Sequence, residues 1–211
     1  MTIDYENSFG FEPKLPDDIR EIFMWLCQDV AHIQSAWSFY VDLFTSNDYK
    51  EVADLAIESF RVVERALRTD ITMSICRISD PSKSMKKENI SFQTLSQKCG
   101  EIKGVDALFK DFSIACEPII KLRHKRIGHN DLISRIDPLN NPLPGVGQKE
   151  INEILRLAKE ILNKIIQYYV SVELSFNTIQ NGGADKLLYW LKSGKQYHKD
   201  RRKRISHSTT N

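Results

Sequence analysis

A ten-residue segment, LRHKRIGHND, holds the side chains best suited to chemistry in this sequence, with two arginines, a lysine, two histidines and an aspartate. Arginine offers a planar fork of donors that matches a phosphate or a carboxylate, and histidine titrates near neutral pH. Arg123 and His129, held near one phosphodiester, are therefore able to carry out acid–base chemistry without a metal ion.

The same segment has a structural alternative, because it lies where a helix is predicted to end. Cations are favoured there, since they offset the negative end of the helix dipole and bond the free carbonyls. On a regular α-helix, Arg123 and His129 would also point about 120° apart. Either Gly128, which accepts helix-ending backbone angles, or a two-fold dimer axis is needed to bring them together. On residue types alone the helix-end interpretation is favoured.

Composition limits the class of protein. With 41% hydrophobic and 27% charged residues in 211, the chain fits one soluble globular domain with a sizeable core. No apolar run approaches the roughly 20 residues of a membrane span, and residues 1–14 lack the features of a signal peptide. Cys27, Cys76, Cys99 and Cys116 are scattered, which favours free thiols in a reducing cytoplasm over a zinc site or disulfides.

Apolar residues recur at helical spacing along the chain, and no segment shows the two-residue period of a strand. We expect an all-α bundle built on two long helices, with a flexible lead (1–15), one domain (16–198) and a basic tail (199–211). The predicted helices are 16–44, about 30 residues from a cap at 45–48 to Ser79, 91–99, 105–127 with a kink at Pro118, 148–177, and a last one from Ala184 into the tail. Loops are expected at 82–90 and 137–147.

Several catalytic motifs are absent from the sequence. There is no G-x-x-x-x-G-K-[ST] phosphate loop, no G-x-G-x-x-G, no H-E-x-x-H and no Gly-flanked nucleophilic serine. The acidic residues form no paired pattern that would hold Mg²⁺. We therefore expect neither a metal nor a cofactor, and place any catalytic chemistry in segment 123–131.

Two segments resemble motifs of the HEPN superfamily (higher eukaryotes and prokaryotes nucleotide-binding). RHKRIGH, residues 123–129, fits the pattern R-[N/D/H]-x(3–5)-H. Its extension to Asp131, together with ICRISDP at 75–81, is similar to the abortive-infection AbiU-type branch. In that branch a long helix ends in R-[IL]-x-D-P, and a later helix ends in R-x-K-x-x-[AG]-H-x-D. The likeness in the order and length of helices runs from about Ile19 to Lys192.

The resemblance implies an all-α HEPN-like bundle and a metal-independent endoribonuclease, often a toxin or an antiphage effector. Such proteins usually form homodimers whose two motifs face each other across one cleft. By position, Arg123 would grip the scissile phosphate, His129 would act on the 2′-hydroxyl or the leaving oxygen, and His124 would orient the phosphate. Supporting roles are assigned to Arg126, Asn130, Asp131, Arg77 and Asp80. Arg77 and Asp80, three residues apart, could also simply pair with each other.

Two alternatives to the nuclease remain. Many HEPN domains have lost catalysis, so an inactive module that binds RNA or a protein partner is one, and a purely structural bundle is the other. An antitoxin or another defence-system protein is a candidate partner, and no membrane is expected to be one. Asp131 stands where the branch regulated by nucleotidyltransferase antitoxins has a tyrosine, so that mode of control is not expected.

The C-terminal run KDRRKR also has two interpretations. Its cations could follow an RNA backbone, which would make binding strongly salt-dependent, or they could belong to a solvated terminus. The residues concerned are Lys199, Arg201, Arg202, Lys203 and Arg204. Tyr189, Trp190 and Tyr197 precede the run, and core packing is favoured over base stacking for these three aromatic residues.

Overall fold

The computed structural model describes residues 15–128, 145–176 and 183–208. These residues are mostly helical, which confirms the all-α prediction. The helices are α1 Asp17–Phe44, α2 Asn47–Val52, α3 Ile57–Ile78, α4 Phe92–Lys98, α5 Val105–Leu122, α6 Gln148–Val170 and α7 Ala184–Ser208. A small hairpin joins α3 to α4, with β1 (Lys83–Ser84) antiparallel to β2 (Lys87–Glu88). The prediction of a plain loop at 82–90 was therefore wrong for these four residues.

Two compact units are distinguished by their internal contacts. Unit 1 comprises Met1–Ala31 and Met73–Phe176, and unit 2 comprises His32–Thr72 and Asn177–Asn211. No break between elements separates the units, because α1 and α3 each contribute residues to both. The division into a lead, one domain at 16–198 and a tail stays a prediction. No helix in the described ranges combines the length and the apolar character needed to cross a membrane.

The core of unit 1 is built around α5 and α6, which pack against each other. Apolar residues at three- and four-residue steps give each helix one buried face, as expected for an amphipathic helix in a globular core. On α6 the fully buried set is Ile154, Ala158, Ile161, Leu162, Ile165 and Ile166, and on α5 it is Val105, Phe112, Cys116 and Ile119. Phe112 meets Phe92 of α4, with ring centroids 4.8 Å apart. This core fixes the direction of α5, whose C-terminal end carries the segment at 123–131, called the Arg/His segment below.

The end of α6 differs from the prediction. The helix ends at Val170 rather than near Asn177, because Ser171 adopts a left-handed conformation with φ 58°. The side-chain amide of Asn163 then holds the returning chain. It accepts from the backbone N–H of Leu174 at 2.6 Å and donates to the same residue's carbonyl at 3.2 Å. Apolar periodicity alone did not show this return of the chain.

Unit 2 has its own small core of Leu43, Val52, Phe60, Ala184 and Leu188. The predicted cap before the second long helix is present, since the Ser46 hydroxyl accepts from the Tyr49 N–H at 3.1 Å. The predicted uninterrupted helix of about 30 residues was wrong. A short 3₁₀ turn, Ala53–Leu55, separates α2 from α3, and the Ala56 backbone is not helical.

A long-range contact accounts for this break. The Lys195 ammonium donates to the backbone carbonyl of Glu51 and to the Asp54 carboxylate, the latter at 2.9 Å. In a continuous α-helix the Glu51 carbonyl would instead accept from the N–H four residues later. Lys195 lies far away in the sequence, so the local pattern could not predict the interruption.

Candidate functional site

The Arg/His segment begins where α5 changes its helical form. The backbone is α-helical to Leu122, and residues Arg123–Gly128 then form a π-helix. The predicted helix at 105–127 thus has nearly the right length, but its last six residues have a different geometry. The π-helix is rare and occurs frequently at functional sites. Because i→i+5 bonds widen each turn, the geometry of a regular α-helix does not apply from Arg123 to Gly128.

Pro118 lies one turn before this change, inside α5. Proline has no N–H, so the carbonyl of Ile114 cannot make its usual α-helical bond, and the proline ring crowds that carbonyl. Buried Cys116 and Ile119 on either side hold the interrupted helix against the core of unit 1. Pro118 therefore lies where a kink would redirect the segment that follows.

Arg123 and His124 contact each other directly at the start of the π-helix. The distance from Nη2 of Arg123 to Nε2 of His124 is 3.1 Å. A guanidinium only donates, so this contact requires Nε2 to accept and the ring proton to lie on Nδ1. Arg123 is half-buried and His124 is exposed. Among the described residues, the guanidinium bonds this neighbouring ring and no free carbonyl, whereas an arginine that caps a helix bonds the carbonyls.

The end of α3 lies close to Arg123, although some forty residues separate them in sequence. Burial raises the pKa of the Cys76 thiol to about 11, while the Arg123 guanidinium lowers it and the Asp80 carboxylate raises it. A charge changes a pKa in this way only from nearby. Arg123 at the end of α5 and Asp80 at the end of α3, one residue from each motif segment, therefore both lie near this thiol in unit 1.

A second thiol completes the contact between α3 and α5. Burial, together with a smaller effect of Cys76, raises the pKa of the Cys116 thiol to about 12, although a hydrogen bond with Ser79 lowers it. The Ser79 hydroxyl itself donates to the Cys76 carbonyl oxygen at 3.1 Å. Ser79 thus joins the end of α3 to the middle of α5. The sequence predicted free thiols at Cys76 and Cys116 but gave no sign that they lie close to each other and to Ser79.

The supporting residues are distributed as follows. Arg77 is exposed, and its Nη2 donates to the buried Ser74 hydroxyl at 2.8 Å. Within the described part of the chain it makes no ion pair with Asp80, so the suggested Arg77–Asp80 pairing was wrong. Asp80 is half-buried at the end of α3. Arg126 belongs to the π-helix, but its side chain is not among those that the structure describes.

Three candidates from the sequence, His129, Asn130 and Asp131, lie outside the described residues. Among the residues that are described, no group of three or more histidine, cysteine, aspartate or glutamate side chains is arranged to hold a metal ion. The four cysteines are buried free thiols.

The basic C-terminal run lies on α7, which continues as a helix to Ser208. Core packing of the preceding aromatic residues was predicted wrongly, because Tyr189, Trp190 and Tyr197 are 63%, 62% and 64% exposed. The apolar face that α7 does bury is formed by Ala184 and Leu188. The helical spacing of the aromatic residues was the available signal, since it places them away from Leu188.

Comparison with known proteins gives one match. The HEPN AbiU2 family model, described as AbiU2, matches residues 16–184 of the chain. No curated protein and no solved structure matches significantly. The matched residues include both motif segments and every helix from α1 to α6, and the match ends where α7 begins.

Proposed function

The chain belongs to the HEPN AbiU2 family, and on this basis we propose that it is a metal-independent endoribonuclease of the toxin or antiphage-defence type. The abortive-infection character comes with the family. The observation that best supports the nuclease activity is the 3.1 Å contact between Arg123 and His124 at the start of the π-helix Arg123–Gly128. An arginine that only caps a helix would not need this contact.

Arg123 would bind the scissile phosphate. A guanidinium fork matches two phosphate oxygens, and its charge stabilises the extra negative charge of the pentacovalent transition state. Half-burial strengthens this interaction, because the local dielectric constant is lower than that of water. The 3.1 Å contact with His124 holds the fork in one orientation before RNA binds.

His129 would transfer the proton. In this mechanism it takes the proton of the RNA 2′-hydroxyl as that oxygen attacks the adjacent phosphorus, or it gives a proton to the leaving 5′-oxygen. The bond between phosphorus and the 5′-oxygen breaks, and the products carry a 2′,3′-cyclic phosphate and a 5′-hydroxyl. RNA supplies its own nucleophile, so the chemistry needs neither a metal nor a cofactor.

The remaining candidates would position these groups. Arg123 and Asp80 both act on the pKa of Cys76, and we assign Asp80 a role in orienting the guanidinium. We assign Arg126, Asn130, Asp131 and Arg77 the same kind of supporting role, from their places in the family motifs.

We further propose that the active form is a cytoplasmic homodimer whose two motifs share one RNA-binding cleft. Its regulator would be an antitoxin or another protein of a defence system. The HEPN AbiU2 assignment supports both proposals. If catalysis has been lost, the same cleft would serve an inactive module that binds RNA or a protein partner.

The proposal is tested by incubating the purified protein with total tRNA and with a synthetic RNA in EDTA. We expect the wild type to cleave both, leaving 2′,3′-cyclic phosphate ends, because no step requires a metal. The His129→Ala variant is expected to lose about 10²-fold to 10⁴-fold in rate, the usual contribution of a positioned acid or base. A wild type that binds RNA without cleaving it would identify the inactive module instead.

A further inference from the structure

We infer that the outer face of α7 is a second RNA-contacting surface, which stacks single-stranded bases on Trp190 and Tyr197 and binds their phosphates with neighbouring cations. This inference rests on the proposed function, since it takes RNA as the ligand. The surface lies beyond residue 184, where the family match ends. It is therefore additional to the Arg/His segment and to the family's own motifs.

The first observation is a stripe of five side chains along α7. Lys186, Trp190, Tyr197, Arg201 and Arg204 follow one another at steps of four, seven, four and three residues. At about 100° per residue, these steps keep all five within roughly 60° around the helix axis. Buried Leu188, 3% exposed, lies on the opposite side of the helix. The stripe thus faces away from the core of unit 2.

The second observation is the exposure of its two large aromatic rings. Trp190 is 62% exposed and Tyr197 is 64% exposed. Seven residues separate these side chains, which corresponds to about 10 Å along the helix. Large aromatic side chains that lie in water next to cations are typical of surfaces on which successive bases stack.

The third observation concerns charge. Within the described residues, neither Arg201 nor Arg204 forms an ion pair with an acidic side chain. The lysines on the packed side of α7 differ, because Lys192 pairs with Asp48 at 2.8 Å and Lys195 is bonded to carboxylate and carbonyl oxygens of α2 and the 3₁₀ turn. The charges of Arg201 and Arg204 therefore lie in line with the exposed rings.

Together these features fit single-stranded RNA better than other polyanions. Guanidinium forks bind phosphate oxygens, and the rings bind base faces that a duplex would keep stacked inside. Because every base has such a face, the surface would have little sequence preference.

The experiment measures binding of a fluorescein-labelled 2′-O-methyl oligouridine, which cannot be cleaved for lack of a free 2′-hydroxyl, over a series of salt concentrations. We expect Trp190→Ala combined with Tyr197→Ala to weaken binding about tenfold or more, with an unchanged salt slope, because stacking involves no counterions. Arg201→Ala combined with Arg204→Ala should reduce the slope of log K against log salt by about 1.4, or about 0.7 for each phosphate contact.

Two control variants match the stripe variants. Tyr168→Ala removes a similarly exposed ring, 58% exposed, on α6, and Lys199→Ala with Arg202→Ala removes two charges on the packed side of α7. Both should bind RNA nearly as the wild type does. Equal losses in the stripe variants and in these controls would overturn the inference, because the basic helix would then act only through its total charge.

Cleavage of ordinary RNA by the same variants separates the inference from the proposed function. Binding that depends on the stripe, with no cleavage by the wild type, would support the inference while contradicting the nuclease proposal. Cleavage by the wild type, together with an unchanged RNA affinity of the stripe variants, would support the nuclease proposal and contradict the inference. If the stripe variants keep their RNA affinity but lose a dimer in sedimentation, the stripe binds a second copy of the chain and the inference is overturned.

Discussion

Arg123 is the residue on which the catalytic account depends. Its guanidinium contacts the His124 ring at 3.1 Å and acts electrostatically on Cys76, 47 positions earlier in the numbering. A histidine bonded in this way orients the guanidinium while leaving its remaining donors available for a phosphate. The helix dipole still favours a cation here, so part of the charge preference has a structural origin.

The contact between α3 and α5 predicts a dependence of stability on pH. Because burial raises the pKa of Cys116 to about 12, the folded state keeps this thiol proton at pH values where the unfolded chain has lost it. The contribution is fully present below about pH 9 and is lost as pH rises from there toward 12. Between pH 8 and pH 10 the free energy of unfolding of the wild type should fall by about 1 kcal/mol more than that of the Cys116→Ala variant.

Urea unfolding of both proteins under reducing conditions, at these two pH values, measures this difference. The loss of packing caused by the smaller alanine side chain lowers the free energy of unfolding equally at both pH values. It therefore largely cancels when the change between the two pH values is compared. If the two proteins lose the same free energy of unfolding between pH 8 and pH 10, the thiol is not buried between the two helices as described.

At the scale of elements, Pro118 and the π-helix that follows it affect the direction of the C-terminal end of α5. Pro118 removes one backbone bond, and the π-helix that follows it sets a turn different from that of a regular helix. A proline inside a helix is unfavourable for stability by about 3 kcal/mol in the absence of compensation. Its presence one turn before the candidate catalytic residues suggests that orientation takes precedence over helix stability.

Replacing Pro118 with alanine should separate these two effects. Alanine restores an N–H for the Ile114 carbonyl, so the free energy of unfolding should rise or stay constant, while the rate of RNA cleavage should fall about tenfold or more through misplacement of His129. Pro142→Ala, which lies outside the described helices, is a control for loss of a proline. A Pro118→Ala variant that cleaves RNA at the wild-type rate would show that the kink does not orient the site.

The elements also show how far the sequence predicts the fold. Local signals were sufficient where neighbouring residues decide the structure, as at the Ser46 cap and the apolar face of α6. They failed where distant residues decide it. The break after Val52 involves Lys195, and the return of the chain after α6 depends on Asn163.

The candidate site was predictable in part for the same reason. Residue types and the family motifs identified Arg123 and the ICRISDP segment, but only the folded structure places Arg123 and Asp80 near Cys76. The π-helix has no sequence signature of its own. The positions of Trp190 and Tyr197 relative to Leu188 place both rings on the exposed side of α7. The apolar character of the two side chains alone did not reveal this exposure.

At the scale of the whole molecule, the proposed shared cleft makes activity depend on assembly. If two chains must meet to form the site, the cleavage rate per chain should fall when the protein is diluted below the dissociation constant of the dimer. Sedimentation over the same concentrations should show the dimer dissociating in parallel. A monomer that retains the full rate per chain would contradict the shared cleft and leave a site complete within one chain.

The most direct test of the catalytic account compares Arg123→Ala and Arg123→Lys with the wild type in single-turnover RNA cleavage and in urea unfolding. Arg61→Ala, an exposed arginine in unit 2, is the control. We predict that Arg123→Ala lowers the rate about 10²-fold to 10³-fold, as loss of one preorganised donor group does, and that lysine restores little because it lacks the planar fork. The free energy of unfolding should change by less than about 0.5 kcal/mol. An unchanged rate together with a clear loss of stability would show that Arg123 is a helix cap and not a catalytic residue.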